Sequence, residues 1–271
     1  APPAAPAVGG GLDMLGGLTA APAAADPFGL GGGMGMASPA AAPVLLAQDK
    51  GNGLQISGQL QRENGGAVYS LEFTNFSAMP LNGFMIQFNK NSFGLTPQGA
   101  LQVPPLAPGG GAGATKLPVA FNPQQVSPGA FNPQLQVAIK NVTSGSVSYF
   151  TDTVPLAAVA TEDGNLERNT FLQTWQSLPE AMEQKQQIGA SVASAEALAQ
   201  KLAGGNVFMV AQQSSPMGKS LMYCTCKVAP FNAQLLVEVA WAPGTPGATV
   251  TVKSQRPDLA PLAFQAVQRA A

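Results

Sequence analysis

The residues best suited to chemistry in this chain are Arg168, Phe171, Leu172 and Trp175, at i, i+3, i+4 and i+7 of a helix read over 162–178. Asp163 or Asn165 can cap its first turn, and Glu162, Asp163 and Glu167 suit the helix dipole. An arginine beside a tryptophan on one helical face has two uses. Phe171, Leu172 and Trp175 can be core with Arg168 snorkelling at its edge, or Arg168 and Trp175 can belong to a peptide-binding surface. A second group lies on two strands. In 220–228, Met222, Cys224, Cys226 and Val228 face one side, while Leu221, Tyr223, Thr225 and Lys227 face the other. Lysine is rarely buried, so Tyr223 is expected on the wetter side, at the surface. In 234–241, Leu235, Val237, Val239 and Trp241 are expected in the core and Gln234, Leu236, Glu238 and Ala240 outside. Antiparallel pairing would put Tyr223 and Glu238 on one sheet face. A helix packed at the edge of that sheet would bring Arg168 and Trp175 to them. Glu180 and Glu183 lie just before a short strand at 184–188.

A third group is shallower. On the strand at 135–141, Leu135, Val137 and Ile139 point one way and Gln136, Ala138 and Lys140 the other. The small Ala138 leaves a partly apolar spot. Tyr149 can lie beside it on the next strand, either as an exposed contact residue or as a buried sandwich tyrosine.

All three groups are equipped for recognition rather than bond-making. The sequence holds 271 residues and no histidine, which removes the usual general base and the commonest metal ligand. Two cysteines, Cys224 and Cys226, cannot complete a zinc site alone and read as reduced core thiols. No cofactor and no enzymatic activity is expected. With 13 basic and 14 acidic residues and no basic stripe, nucleic-acid binding is not expected either. No run approaches a membrane span, and the amino terminus lacks the positive region of a signal peptide.

The elements that must position these groups fall into three stretches. Residues 1–48, mostly Gly, Ala and Pro, read as a disordered hinge or linker. Two islands stand out there, Leu12-Asp-Met-Leu-Gly-Gly-Leu18 and Asp26-Pro-Phe28, and either can be a motif read by a partner. Residues 49–159 read as a β-sandwich, with strands at 54–62, 67–75, 83–88, 101–103, 116–121, 135–141 and 147–150, and a further apolar strand at 154–160. Residues 160–271 read as an antiparallel sheet flanked by helices, with strands at 207–211 and 250–252 and helices at 194–202 and 261–269. The fold class is thus α+β: a β-sandwich subdomain followed by an α/β platform.

Several runs carry a family resemblance. They are Gly53-Leu-Gln-Ile-Ser-Gly58, Phe73-Thr-Asn75, Ile86-Gln-Phe-Asn-Lys-Asn-Ser-Phe-Gly94, Leu135-Gln-Val-Ala-Ile-Lys-Asn141, and Glu162-Asp-Gly-(Asn-Leu)-Glu-Arg168 with Phe171-Leu172 and Thr174-Trp175. From about Gly51 onward the chain resembles the hinge end and appendage, or ear, of the beta-adaptins, the beta large subunits of clathrin adaptor complexes. The resemblance implies an immunoglobulin-like sandwich, an α/β platform and no enzymatic activity. It implies binding of short motifs from accessory proteins and cargo adaptors, epsin- and arrestin-like ligands among them, together with clathrin. It also implies other adaptor-complex subunits as partners and indirect membrane association. The implied location is cytoplasmic, on coated pits and vesicles of the plasma membrane or the trans-Golgi network and endosomes. Carried over residue by residue, the platform site is Arg168, Trp175, Glu183, Tyr223 and Glu238, and the sandwich site is Gln136, Ala138, Lys140 and Tyr149.

The chain departs from the family pattern in three places. Gln176 follows the tryptophan where lysine is frequent, and Gln212-Gln213 stands where a basic residue is expected, so the platform rim is less basic. Leu12–Leu18 has the leucines of a clathrin-binding box but ends in glycine. A secreted adhesion or carbohydrate-binding sandwich is the alternative reading; the thiol pair and the missing signal sequence speak against it.

Overall fold

The computed structural model describes residues 42–214 and 218–271, together with the backbone of Thr19–Ala20. The disorder expected for the hinge and both of its motif islands lie outside the described residues. The linker reading stops short of residue 48, however, because β2 (Val44–Leu46) is already a strand.

The first subdomain is a sandwich of two antiparallel sheets. The larger has the order β2, β3 (Leu54–Glu63), β4 (Gly66–Asn75), β7 (Gly111–Phe121) and β6 (Leu95–Pro97). The smaller has the order β5 (Phe84–Phe88), β8 (Gln134–Asn141) and β9 (Val147–Thr153). Period-two alternation puts Ile56, Leu60, Tyr69, Leu71 and Phe73 of one sheet against Leu135, Val137 and Ile139 of the other, all buried. Residues 101–103, read as a strand, are irregular, and the strand read at 116–121 starts earlier, since β7 begins at Gly111. The hydroxyl of buried Tyr69 donates to Asp152 Oδ2 at 2.7 Å, which ties the sandwich core to the end of β9.

The stretch 154–160 is not a strand. Pro155 has no N–H for a ladder, and it opens a single helical turn, α1 (Leu156–Val159), followed by β10 (Ala160–Thr161). The platform sheet follows: β11 (Glu183–Ile188), β15 (Ala248–Lys253), β14 (Ala233–Trp241), β13 (Ser220–Val228), β12 (Phe208–Ser214) and, at its far edge, β1 (Thr19–Ala20); β10 pairs with β13. Helices α3 (Ala195–Ala203) and α4 (Ala260–Ala270) pack on one face. Leu198, Leu202, Leu262 and Val267 meet Met222, Cys224, Cys226, Val237 and Val239 in a core continuous with that of the sandwich. Ser194 caps α3 by accepting from Ala197 N–H. Helix α2 (Arg168–Ser177) lies on the opposite face over a separate apolar cluster.

The acids read as a helix start, Asp163 as a cap and Glu162 as a charge suited to the dipole, have another task. The residue preceding α2 is Glu167, which makes no side-chain cap bond. Glu162 instead pairs with Arg62 of the sandwich at 2.8 Å, and Asp163 pairs with Lys227 at 2.6 Å. Between them and the helix, Gly164 lies so close to β13 that a Cβ there would stand 2.5 Å from Lys227 N. Its carbonyl accepts from Gln234 Nε2 at 2.7 Å. The Glu-Asp-Gly run is therefore the clasp that joins the two subdomains.

Candidate functional site

The face under α2 is built from two neighbouring rows across the platform sheet. One runs Lys185, Thr251, Glu238, Tyr223, Ala211; the next runs Glu183, Lys253, Leu236, Thr225, Phe208. Directly opposed residues share a sheet face, so alternation alone puts Tyr223, Glu238 and Leu236 together. Onto Tyr223 the helix lowers two aromatics. Phe171 stacks on Trp175 with ring centres 5.6 Å apart, and both meet Tyr223 edge-on at 5.8 and 6.4 Å. Ala211 and Leu236 complete the cluster, with Leu172 and Leu221 at its margin.

Both aromatics singled out in the sequence are enclosed: Trp175 is 5% exposed and Tyr223 1%. The surface position expected for Tyr223 is thereby corrected, as is the outward position of Leu236. Lys227 does not make this face wet, because it sits at the strand end with Asp163 as its partner. The sheet thus has two apolar faces, the smaller one roofed by a helix with two turns of aromatic contact.

Charged residues surround this cluster. Arg168 opens α2 and is half-buried. Glu183 lies between Lys185 and Lys253, at 3.5 and 3.6 Å. Lys253 also stands over the Trp175 ring, 5.2 Å from its centre. Lys253 was not foreseen: it continues the Thr249, Thr251 alternation opposite Val250 and Val252, and that was the available signal. Glu238 faces Tyr223 across the strands. Burial raises the Glu238 carboxyl above the usual range, while the Tyr223 hydroxyl and the charge of Lys185 pull it down. Burial, reinforced by the charge of Glu238, also lifts the Tyr223 phenol far above its ordinary value. Among the described residues its oxygen has no hydrogen-bond partner of normal geometry.

The sandwich residues form a different kind of surface. Ala138 pairs directly with Tyr149, and Gln136 and Lys140 point to the same side. The open question over Tyr149 resolves to an exposed position: it is 70% exposed, with buried Ser148 and Phe150 pointing inward on either side. The row continues onto β5, where Gln87 opposes Ala138 and Met85 opposes Lys140. Met85, 59% exposed, and Val147 extend the apolar patch beyond the residues read from sequence. Asn89 Nδ2 donates to Gln136 Oε1 at 3.0 Å and fixes one corner.

A concavity of about 710 Å³ opens elsewhere, at the seam between the subdomains, lined by Asp152, Leu156, Lys201, Leu202 and Arg269 among others. None of the nine candidate residues reaches it. Among the described residues no group of three or more His, Cys, Asp or Glu could hold a metal ion.

Two family models adjoin along the chain. The adaptin C-terminal domain matches residues 42–155, and the beta2-adaptin appendage C-terminal sub-domain matches 161–271. The AP-1 complex subunit beta-1 of Mus musculus is 34% identical over 286 residues, covering 96% of this chain and 30% of its own length. The Homo sapiens protein of the same name is 32% identical, again over 96% of this chain, and the AP-1 complex subunit beta of Dictyostelium discoideum is 27% identical over 80%. The chain spans less than a third of the length of these relatives. Sandwich, clasp and helix-flanked platform follow one another in the order of the two matching models, and the chain belongs to the beta-adaptin family of clathrin adaptor subunits, whose appendage it carries.

Proposed function

We propose that this appendage is a non-enzymatic recruitment module. On its platform it receives a short amphipathic helix from an accessory protein or cargo adaptor, and on the sandwich it holds a second, shallower motif. The observation that carries this reading is the aromatic cluster of Phe171, Trp175 and Tyr223 ringed by charges of both signs. A helical ligand would exchange apolar contacts with the cluster, set an arginine against Glu238 or Glu183, and set an acid near Arg168. Because Trp175 and Tyr223 are enclosed, loading has to shift α2 or the side chains over it, and such a site binds weakly unless it is used together with the second one.

Epsin- and arrestin-like proteins are the ligand class this chemistry suits, with clathrin as a further partner of the hinge and appendage. Other adaptor-complex subunits would join through the remainder of a longer chain. Coated vesicles of the trans-Golgi network and endosomes, and coated pits of the plasma membrane, are the proposed sites of action, with membrane association indirect. The family membership and the AP-1 names of the relatives support this reading. The test is titration of the full chain with a helical peptide bearing Phe and Leu one turn apart and an arginine. Trp175→Ala should weaken binding about tenfold or more, as hot-spot truncations do. Unaltered affinity in a variant that keeps its native circular dichroism would refute the platform assignment.

A further inference from the structure

The two edges of the platform sheet are built differently. Edge strand β11 reads Glu-Gln-Lys-Gln-Gln-Ile and is largely exposed; charges in such a strand deter another chain from pairing. At the other side, β12 reads Phe-Met-Val-Ala-Gln-Gln-Ser, seven residues without a charge, interrupted only by a bulge between Met209 and Ala211. An edge strand without charges is a template for strand addition. In this structure it is occupied: Thr19 pairs with Gln212 and Ala20 with Ala211, antiparallel.

We propose that the β12 edge is a strand-addition site whose resident occupant is this chain's own segment at Thr19–Ala20. The sequence is suited to it, because residues 7–21 are the longest proline-free run of residues 1–48 and every residue there keeps its N–H donor. Two paired residues alone are a weak attachment. Tethering compensates: both residues belong to the same chain as β12, so the pairing is intramolecular and carries no cost of bringing two molecules together. The result is an intramolecular strap, held well enough to cover the edge and loosely enough for an extended peptide to displace.

Its position ties it to the groove. Ala20 extends the row Ala211, Tyr223, Glu238, Thr251, Lys185, so the strap is hydrogen-bonded to the strand next to the one carrying Tyr223. Helix α2 rests on the same neighbourhood through Val210 and Ala211. Strap and groove ligand are therefore coupled, a consequence that rests on the peptide-binding reading, whereas the pairing itself does not.

The experiment compares residue-resolved amide hydrogen exchange in the full chain and in its Thr19→Pro/Ala20→Pro variant. Amides of β12 that point away from β13 should exchange at least about tenfold faster in the variant, while those bonded to β13 serve as the internal control. Equal rates in the two proteins would overturn the proposal. Protection that grows with protein concentration would also overturn it, since the occupant would then be a second copy. A peptide spanning residues 10–24, added to the variant at millimolar concentration, should restore slow exchange, and no restoration counts against the site. Groove-peptide affinity should rise in the variant. Unchanged affinity alongside altered exchange would remove the coupling and leave the edge site standing.

Discussion

Tyr223 and Glu238 stand directly opposite each other on β13 and β14, in surroundings that disfavour negative charge on either one. The helix carrying Trp175 closes over the tyrosine, and burial raises the Glu238 carboxyl. A ligand arginine would favour the ionised form of Glu238. Binding is therefore strongest above the raised folded-state value and falls as pH drops through it, because the protonated carboxyl offers no charge. A charge-assisted hydrogen bond of this kind contributes about 1.5–3 kcal/mol, which corresponds to a roughly ten- to hundredfold loss of affinity in acid. Titrations at a series of pH values should show that fall in the wild type and a flat profile in Glu238→Gln. A fall of equal size in the variant would assign the pH dependence to another group.

The sandwich surface should separate binding from folding in a way the platform cannot. Tyr149 stands in water beside Ala138, so Tyr149→Ala should change stability by no more than about 0.5 kcal/mol. The same change should weaken a ligand seated there by roughly tenfold or more, and Met85→Ala should weaken it in the same direction. Trp175→Ala, by contrast, empties part of a buried cluster and should cost about 3–5 kcal/mol of stability as well as affinity. Urea denaturation alongside peptide titration measures both quantities. Marked destabilisation by Tyr149→Ala would mean that the tyrosine is structural.

The extent to which the site could be read from sequence follows from which interactions are local. Alternation along 220–228 and 234–241 placed Tyr223 and Glu238 on one face correctly, since period two is a property of the strand itself. It could not say that the face is roofed, because α2 covers Tyr223 through a packing choice made more than forty residues away. Lys253 was missed for the same reason, as its place over Trp175 depends on two registers, β11 with β15 and β15 with β14. Residues 154–160 read as a strand because they form a continuous apolar run, and a run of that kind has no period to tell strand from helical turn. The acids at 162 and 163 suited a helix start equally well, and only the partners Arg62 and Lys227 show that they form a clasp.

That clasp makes Gly164 the most constrained residue of the run. A methyl group there would stand 2.5 Å from Lys227 N and 3.1 Å from Cys226, against backbone that is fixed in the sheet. Gly164→Ala should therefore destabilise the protein by about 1–3 kcal/mol, the usual cost of forcing atoms into filled space. Glu162→Gln and Asp163→Asn remove exposed ion pairs and should leave the denaturation midpoint nearly unmoved. Urea midpoints at constant m-value measure this contrast. If the two acid variants lose as much as Gly164→Ala, then charge rather than close approach holds the subdomains together.

Asp152 gives the seam a pH dependence of its own. Burial raises its carboxyl above the ordinary value, opposed by the hydrogen bond from Tyr69, by the Thr153 N–H and by the charge of Arg269. The folded protein thus holds this proton more tightly than the unfolded chain does. The group's contribution to stability is full below the unfolded-state value and is lost as pH rises through the folded-state value. Asp152→Asn cannot titrate, so the stability of wild type relative to this variant should decline from acid towards neutral pH. Tyr69→Phe removes the donor that favours the ionised carboxylate. It should cost about 1–3 kcal/mol at neutral pH, where the carboxylate loses its partner, and less in acid, where the neutral carboxyl needs it less. Denaturation of the three proteins across the acid-to-neutral range decides the matter. A wild-type minus Asn difference that rises with pH would mean that the Tyr69 bond and Arg269 outweigh burial at this carboxyl.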